Sequence, residues 1–329
     1  MPIRVGFMSV AHMHAWGYAA GLHRAEGAEL VGVWDDDAER CESFATTHRI
    51  EAFPTSAALL GAVDAVVVTS ENKKHAELVE AAAAAGKHVL CEKPLVTSEE
   101  AGRRMMQAVD KAGIKLMTAF PCRFSPAFQR LVQRVQAGDV GKVRAVCATN
   151  RGSCPFGWFV DVDVSGGGSM IDHVVHVTDL LRTLLGEEVV RVQAQIGNNM
   201  YGEKWEDTAM LTFEFGSGIF ATLDSSWSRP KSYKTWGDVT MHVVGENGVL
   251  ELDLFAQQFD VYTAGKATHT VAGYGSDLDG ALVAAFVKCV AEDTPPPVTG
   301  FDGLQAARVA LAGYESARHG GAPTSPQGS

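Results

Sequence analysis

Short apolar segments alternate with helical segments through the first 120 residues, and this alternation constrains the fold more than any other feature of the chain. The segments with a strand pattern are 3–8, 28–34, 63–69, 87–91 and 114–119. The segments with a helical pattern include 15–24, 38–48 and 76–85. Because parallel neighbours need a long crossover, usually a helix, the alternation predicts an α/β domain with a parallel, doubly wound sheet. A ligand crevice should lie at the carboxyl ends of its strands.

The pattern changes after about residue 120, where strands predominate. Strand patterns occur at 142–150, 189–196, 208–215, 219–227, 239–244, 249–254 and 259–263. Turn-forming residues at 216–218 and 246–248 predict hairpins, and helical patterns cover 124–137, 278–291 and 303–317. We therefore predict a first domain of residues 1–120 and an α+β domain of residues 121–317 with an antiparallel sheet. Residues 318–329 are rich in Gly, Pro and Ser and are predicted to form a disordered tail.

The composition narrows the class of function. The chain has 329 residues, of which 46% are hydrophobic and 20% charged, as in ordinary globular proteins. Its formal net charge of -11 leaves no basic stripe for phosphates, so no nucleic-acid partner is predicted. No apolar run is long enough to span a bilayer and the N-terminus has no signal-peptide pattern, so no membrane association is predicted. The six cysteines have no CxxC spacing, which favours reduced thiols in a cytoplasmic protein.

Three glycines at 166–168 lead into a segment with helical periodicity. Its apolar residues recur on one face, at 170, 174, 177, 181 and 184. Asp172, His176 and Asp179 fall roughly on the opposite face. A carboxylate one turn from an imidazole can orient it and stabilise its protonated form, and such a histidine can take a proton from a substrate near neutral pH. The alternative is a solvated polar face that follows a glycine-rich turn.

The turn after the first strand is where a dinucleotide would bind, but Ser9–His14 contains no GxGxxG pattern. Asp35, at the end of the second strand, can accept hydrogen bonds from both ribose hydroxyls and would repel a 2′-phosphate. NAD is therefore favoured over NADP, with an acidic surface turn as the alternative. His12 and His14 have the spacing of a metal-ligand pair, but no acid or cysteine is close to them in the sequence. No metal is predicted, and the two histidines are instead placed near a phosphate or the substrate.

Cys91-Glu92-Lys93-Pro94, together with Asp35, the segment 70–75 and the segment 166–179, resembles the Gfo/Idh/MocA oxidoreductases. The resemblance extends to about residue 317. It implies an N-terminal Rossmann domain and a C-terminal domain with a large, open, mainly antiparallel sheet. It also implies hydride transfer between NAD or NADP and a secondary alcohol or ketone of a sugar, polyol or derivative. Because the open sheet of this family commonly pairs face to face, a homo-oligomer (dimer or tetramer) is expected.

The resemblance also implies roles for particular residues. Its Glu-Lys-Pro motif puts Lys93 near the nicotinamide and a substrate hydroxyl, and its Asp-x-x-x-His motif makes His176 the acid/base and Asp172 its partner. The predicted cofactor-binding residues are Ser9, Ala11, His12, His14, Asp35, Ser70, Asn72, His75, Glu92 and Lys93. The predicted substrate-binding residues are Lys93, Arg123, Trp158, Asp172, His173 and His176. Two positions of the His173 side chain stay open: it faces the substrate, or it covers the flank of the helix.

The first turn departs from the family pattern. Ser9, Ala11 and His14 stand at the three fingerprint glycines, so the methyl of Ala11 would push the pyrophosphate outward and the His14 ring would displace the turn. Two other functions stay open, and the missing glycines favour the second of them. One is redox-assisted glycoside cleavage with tightly bound NAD, and the other is a non-catalytic regulator that senses a dinucleotide or a sugar.

Overall fold

In the computed structural model, which describes residues 1–263, 268–273 and 275–326, the first part of the chain forms a six-stranded parallel sheet. Its strands are β1 (Ile3–Met8), β2 (Ala28–Trp34), β3 (Glu51–Ala52), β4 (Ala65–Val68), β5 (His88–Cys91) and β6 (Leu116–Thr118). The intervening helices are α1 (His14–Arg24), α2 (Ala38–His48), α3 (Ser56–Ala62), α4 (His75–Ala84) and α5 (Glu99–Ala112). The strand order β3-β2-β1-β4-β5-β6 reverses direction between β1 and β4, which is where a crevice opens at the carboxyl ends. The predicted doubly wound sheet is confirmed, although β3 and α3 were not predicted.

The second part of the chain forms a larger set of strands and helices. Its strands are β7 (Val143–Gly152), β8 (Val189–Gly197), β9 (Thr208–Phe215), β10 (Phe220–Ser226), β11 (Gly237–Gly245), β12 (Val249–Asp253), β13 (Gln258–Thr263) and β14 (Thr268–Gly273). Its helices are α6 (Pro126–Gln136), α7 (Val162–Ser165), α8 (Ser169–Leu185), α9 (Leu278–Ala291) and α10 (Gly300–Arg318). Strands β7 to β12 form one open sheet in the order β12-β11-β7-β10-β9-β8. All its neighbours are antiparallel except β7 and β10, so the predicted mainly antiparallel sheet is confirmed.

Side-chain burial shows which face of the open sheet is covered. Along β9, Ala209, Leu211 and Phe213 are buried, whereas Met210 between them is 53% exposed. The apolar side chains alternate along the strand with the expected period of two. Those on the covered face pack on α8 and α10. The opposite face of the sheet is left open.

Helix α8 is the element on which the two parts of the chain meet. Almost all of its residues are buried, including Asp172, His176 and Asp179. The alternative of a solvated polar face is therefore wrong. The polar side of α8 faces the crevice of the parallel sheet, while its apolar side packs on the open sheet.

The end of the chain differs from the prediction. Thr324 pairs with Val192 of β8 through two backbone hydrogen bonds of 2.8 and 2.9 Å. The predicted disorder from residue 318 is wrong as far as Pro326, because these backbone groups find partners at the edge of the open sheet; residues 327–329 lie outside the described part. Within the described residues, no helix is both long and apolar enough to cross a bilayer. The domain boundary at residue 120 stays a prediction, and α9 packs back on α1 of the first part.

Candidate active site

A cavity of about 380 Å³ lies between the carboxyl ends of the parallel strands and the start of α8. The residues that line it include His12, His14, Lys93, Asn150, Asp172 and His176. Lys93, Asp172 and His176 are brought together there from elements that are far apart in the sequence. A larger concavity, of about 1070 Å³, lies on the open face of the second sheet and contains none of these residues.

Lys93 and Asp172 form a buried ion pair at the centre of the cavity wall. Lys93 Nζ donates to Asp172 Oδ1 at 2.6 Å and to the Asp172 carbonyl at 3.3 Å, and Trp227 Nε1 donates to Asp172 Oδ2 at 3.2 Å. Burial lowers the pKa of Lys93, but the charges of Asp172 and Glu92 outweigh it and raise the pKa above its ordinary value. Burial raises the pKa of Asp172, but Lys93 outweighs it and holds the pKa well below its ordinary value. Both groups are therefore charged at neutral pH.

His176 lies one turn after Asp172 and also lines the cavity. Burial, and then the charge of Lys93, lowers the pKa of His176 well below its ordinary value, so the imidazole is neutral near pH 7. Its Nδ1 has no hydrogen-bond partner among the described residues. Asp172 was expected to orient this ring, but its two carboxylate oxygens are used by Lys93 and Trp227 instead.

His173 stands behind Asp172, outside the cavity. Its side chain is 1% exposed, its Nε2 lies 3.2 Å from Asp172 Oδ2, and its ring meets Trp236 edge-on at 5.4 Å. Of its two open alternatives, the structure favours the one in which His173 covers the flank of α8. The ring packs against Asp172 and Trp236.

The three glycines allow α8 to start in close contact with its neighbours. A Cβ on Gly167 would lie 1.9 Å from Tyr314 Oη, and a Cβ on Gly168 would lie 2.1 Å from the Glu206 carbonyl oxygen. Glu206 Oε1 accepts the Gly168 amide at 2.7 Å and the Tyr314 hydroxyl at 2.6 Å. Glu206 and Tyr314 therefore fix the first turn of α8. No local pattern in the sequence identifies them, because they come from distant segments.

The first turn of the parallel sheet keeps the shape that a glycine would give it. Ser9 has φ 65°, in the left-handed region where glycine is usual. The Ala11 carbonyl accepts the Trp158 Nε1–H at 3.1 Å, so Trp158 lies over this turn. Trp158 was predicted on the substrate side, but its indole N–H is used to tie the second part of the chain to the turn.

Asp35 is more fully engaged than predicted. Its Oδ2 accepts the Val10 amide at 2.7 Å and Arg40 Nε at 2.8 Å, and its Oδ1 accepts the Asp37 amide at 2.8 Å and a second Arg40 nitrogen at 2.6 Å. Burial raises its pKa, but these hydrogen bonds outweigh burial and lower it. A ribose that binds to Asp35 must take the place of Arg40.

Ser70, Asn72 and His75 brace the loops at the end of β4 and β5. His75 contacts the Pro94 carbonyl at 2.9 Å and the Ser70 carbonyl at 3.2 Å through its two ring nitrogens. Asn72 Nδ2 donates to the Ser165 carbonyl at 2.8 Å, which links the first sheet to the segment before the glycines. These side chains hold the loop that carries Lys93, and none of the three lines the cavity.

Arg123 lies outside the cavity, although it was predicted to bind substrate. Its Nε donates to Asp179 at 3.0 Å and its NH1 to the Pro297 carbonyl at 2.9 Å. The guanidinium is satisfied by these acceptors, so it ties α8 to the segment before α10. Asn150 is a cavity residue that was not predicted. It is buried, and its Oδ1 has no hydrogen-bond partner among the described residues.

His12 and His14 do have an acid beside them, contrary to the reading of the sequence. Glu92, at the end of β5, is fully buried and its Oε1 lies 2.6 Å from His14 Nδ1 and 3.9 Å from His12 Nδ1. Tyr18 also donates to Glu92 Oε1, at 2.7 Å. The sequence does not show that Glu92 lies beside the two histidines, because the first turn and the end of β5 meet only when the parallel sheet forms.

The parallel sheet has the strand order of a dinucleotide-binding domain, and α8 joins it to the open sheet with a buried acid and a neutral histidine. These features are typical of an NAD-binding oxidoreductase. The comparisons with known proteins agree. Residues 4–120 match the family model described as an oxidoreductase family with an NAD-binding Rossmann fold, and residues 128–251 match the GFO/IDH/MocA C-terminal domain. The chain belongs to the GFO/IDH/MocA family.

Similar proteins include several named dehydrogenases. Myo-inositol 2-dehydrogenase of Thermotoga maritima is 31% identical over 264 residues, which cover 77% of each chain. The scyllo-inositol 2-dehydrogenase (NAD(+)) of Bacillus subtilis is 27% identical and covers 89% of this chain and 88% of its own. Among solved structures, a probable dehydrogenase from Thermotoga maritima has a TM-score of 0.85 at 28% identity and covers 99% of both chains. GenD2 from gentamicin A biosynthesis, in complex with NAD, shares the fold with a TM-score of 0.89 at 24% identity, covering 98% of this chain and 96% of its own.

Proposed function

We propose that the protein transfers a hydride between NAD and a secondary alcohol or ketone of a sugar, polyol or derivative, with His176 as the acid/base. The observation that carries this proposal is that one cavity at the dinucleotide crevice holds a charged ammonium and a neutral imidazole whose Nδ1 has no hydrogen-bond partner among the described residues. A base must be unprotonated to take a proton, and a positioned base contributes about 10²–10⁴ in rate. Lys93 stabilises the negative charge that develops on the substrate oxygen.

The residues at the crevice fit a dinucleotide. The left-handed Ser9 keeps the turn of the fingerprint, and Asp35 stands at the end of β2 where the adenosine ribose would bind. When bound, NAD supplies the hydride acceptor. The chain itself would hold the adenosine with Asp35 and would hold the substrate hydroxyl between Lys93 and His176. The carboxylate of Asp35 disfavours a 2′-phosphate, so NAD is proposed over NADP.

A polyol or sugar suits the polar residues that line the cavity. His176 Nδ1 and Asn150 Oδ1 are buried without partners among the described residues, and each can bond to a hydroxyl group. Such a ligand removes the cost of leaving these groups unpaired, which is about 1–3 kcal/mol for each of them. The inositol dehydrogenases among the relatives make inositols the first substrates to test.

The test is to mix the protein with NAD and a panel of inositols, cyclic sugars and glycosides, and to follow NADH absorbance and products. We expect NADH to accumulate with a polyol or sugar, and His176→Ala to lower kcat by about 10²-fold or more. His23→Ala, an exposed histidine on α1, is the control. Near-normal turnover of His176→Ala would refute the assignment. Glycoside cleavage without net NADH would favour redox-assisted cleavage, and NAD binding without any reaction would favour a regulator.

We also propose that a second copy of the chain covers the open face of the sheet. Met210 and Phe220 are 53% and 51% exposed there, beside the concavity of about 1070 Å³. Large apolar side chains that are exposed on a sheet face are candidates for a protein interface. Light scattering of the wild type should give the mass of a homo-oligomer. The Met210→Lys variant should give a lower mass, because its subunits associate less. A monomeric wild-type protein would refute this proposal.

A further inference from the structure

The His12–His14–Glu92 group is not used by the proposed hydride transfer, and it has the composition of a metal site. His12 precedes α1, His14 is the first residue of α1, and Glu92 directly follows β5. One nitrogen from each imidazole and one carboxylate oxygen lie within 4.8 Å of one another. Two imidazoles and one carboxylate are a ligand set that binds zinc and leaves a fourth position open. We propose that these three residues bind one divalent transition-metal ion of the zinc type.

The distances support this assignment. With metal–ligand bonds of about 2.1 Å, two ligands of a tetrahedral ion lie about 3.4 Å apart. Glu92 Oε1 is 2.6 Å from His14 Nδ1 and 3.9 Å from His12 Nδ1, so the observed separations fall on either side of that value. His12 Nδ1 accepts the His14 amide at 3.1 Å, so an ion bound to this nitrogen would take the place of that hydrogen bond.

The surroundings of the group also suit a cation. Glu92 is fully buried; the Lys93 ammonium hydrogen-bonds to Asp172 and not to Glu92, which accepts from the Lys93 backbone amide and lies beside His14. A buried carboxylate needs a cationic partner or a set of hydrogen bonds. Tyr18 donates to Glu92 Oε1 at 2.7 Å and is the outer partner that orients a metal-binding carboxylate.

The open position of the ion would face the cavity. Both His12 and His14 line it, together with Lys93 and His176. His12 is 2% exposed, and its Nε2 has no partner among the described residues. A hydroxyl group of a cavity ligand, or a water molecule, would complete the coordination. The two histidines stand in the turn that usually carries the fingerprint glycines, so the metal site would account for their presence there.

The experiment is to strip the full-length protein with a chelator, titrate it with Zn²⁺ by calorimetry, and record the visible spectrum with Co²⁺. The wild type should bind one equivalent of Zn²⁺ per chain and give the visible spectrum of tetrahedral Co²⁺. His12→Ala and His14→Ala each remove a ligand and should weaken the affinity more than about 100-fold. Tyr18→Phe removes only the outer partner and should weaken it about 10–100-fold.

His23→Ala is the matched control, because the His23 and His48 rings stack 5.6 Å apart without belonging to a three-ligand group in the described part of the chain. Its affinity should equal that of the wild type. Circular dichroism reports whether each variant folds. If a histidine variant does not fold, the Zn²⁺ affinity of Tyr18→Phe tests the proposal instead. A wild type that binds no Zn²⁺ or Co²⁺ would overturn the proposal, and so would binding that is unchanged in Tyr18→Phe and the folded histidine variants. NAD and substrate are absent from this assay, so its outcome is independent of the proposed hydride transfer.

Discussion

Separating the charges of Lys93 and Asp172 should cost more stability than removing both of them. Their side chains are 4% and 8% exposed, and the pair joins the end of β5 to the first turn of α8. Lys93→Met leaves Asp172 charged and buried, with the Trp227 indole as its remaining strong donor. Removing one partner of a buried ion pair typically costs about 3–5 kcal/mol. We expect that loss in the free energy of unfolding of Lys93→Met.

Asp172→Asn should cost less than Lys93→Met. The amide oxygen of the new side chain still accepts from the ammonium, and the Asp172 carbonyl, 3.3 Å from Lys93 Nζ, is unchanged. The double variant carries no buried charge at the pair, so its main cost is one poorly satisfied amide, about 1–3 kcal/mol. Adding Asp172→Asn to Lys93→Met should therefore restore stability.

Urea unfolding followed by tryptophan fluorescence measures these differences without knowledge of the substrate. Arg4→Met is the control, since the Arg4–Asp64 pair is 47% and 43% exposed and should contribute less than about 1 kcal/mol. The reasoning fails if the double variant is less stable than Lys93→Met, because the losses would then be additive and the two charges would not be coupled.

Three further predictions follow from single contacts. Gly167→Ala should lose about 1–3 kcal/mol and some activity, because its Cβ would meet Tyr314 Oη at 1.9 Å, whereas Gly216→Ala, with open space around it, should be neutral in thermal unfolding. The kcat/KM for alcohol oxidation should rise with pH through a midpoint below about 6.5, since burial lowers the pKa of the base His176; a midpoint above that value in a pH–rate profile would contradict the assignment. Asp35→Ser should shift the ratio of NAD to NADP affinity toward NADP, and tighter NADP binding by the wild type would contradict its role.

The periodic features were the predictable ones. The alternation in residues 3–119 predicts the parallel sheet, and the periodicity after the glycines at 166–168 predicts α8. Strand β3 has only two residues, too few to show a period. The parallel pairing of β7 with β10 was not predicted, because it joins strands that are not consecutive and has no turn to identify it.

The partners of the site residues were less predictable than the residues themselves. Helical spacing brings Asp172 and His176 within one turn, but it gives no information on which group binds the carboxylate. In the structure Lys93 binds the Asp172 carboxylate. The sequence does not predict this pair, because the end of β5 meets α8 only after both sheets have formed. Glu92 meets His12 only when the parallel sheet forms, so a search of the sequence for neighbouring ligands does not find it.

The loss of the fingerprint glycines can be understood from the amides of the first turn. The amides of Ser9 and His12 donate to the carbonyls of Trp34 and Thr69, so they are not available to a phosphate. Within the described residues, the amides of Ala11 and Met13 have no acceptor, and they precede α1. Amides at a helix N-terminus are suited to anions, so two donors and the helix dipole remain for the pyrophosphate. Because Trp158 binds the carbonyl of Ala11 rather than its amide, the contact between the two parts of the chain leaves these donors free.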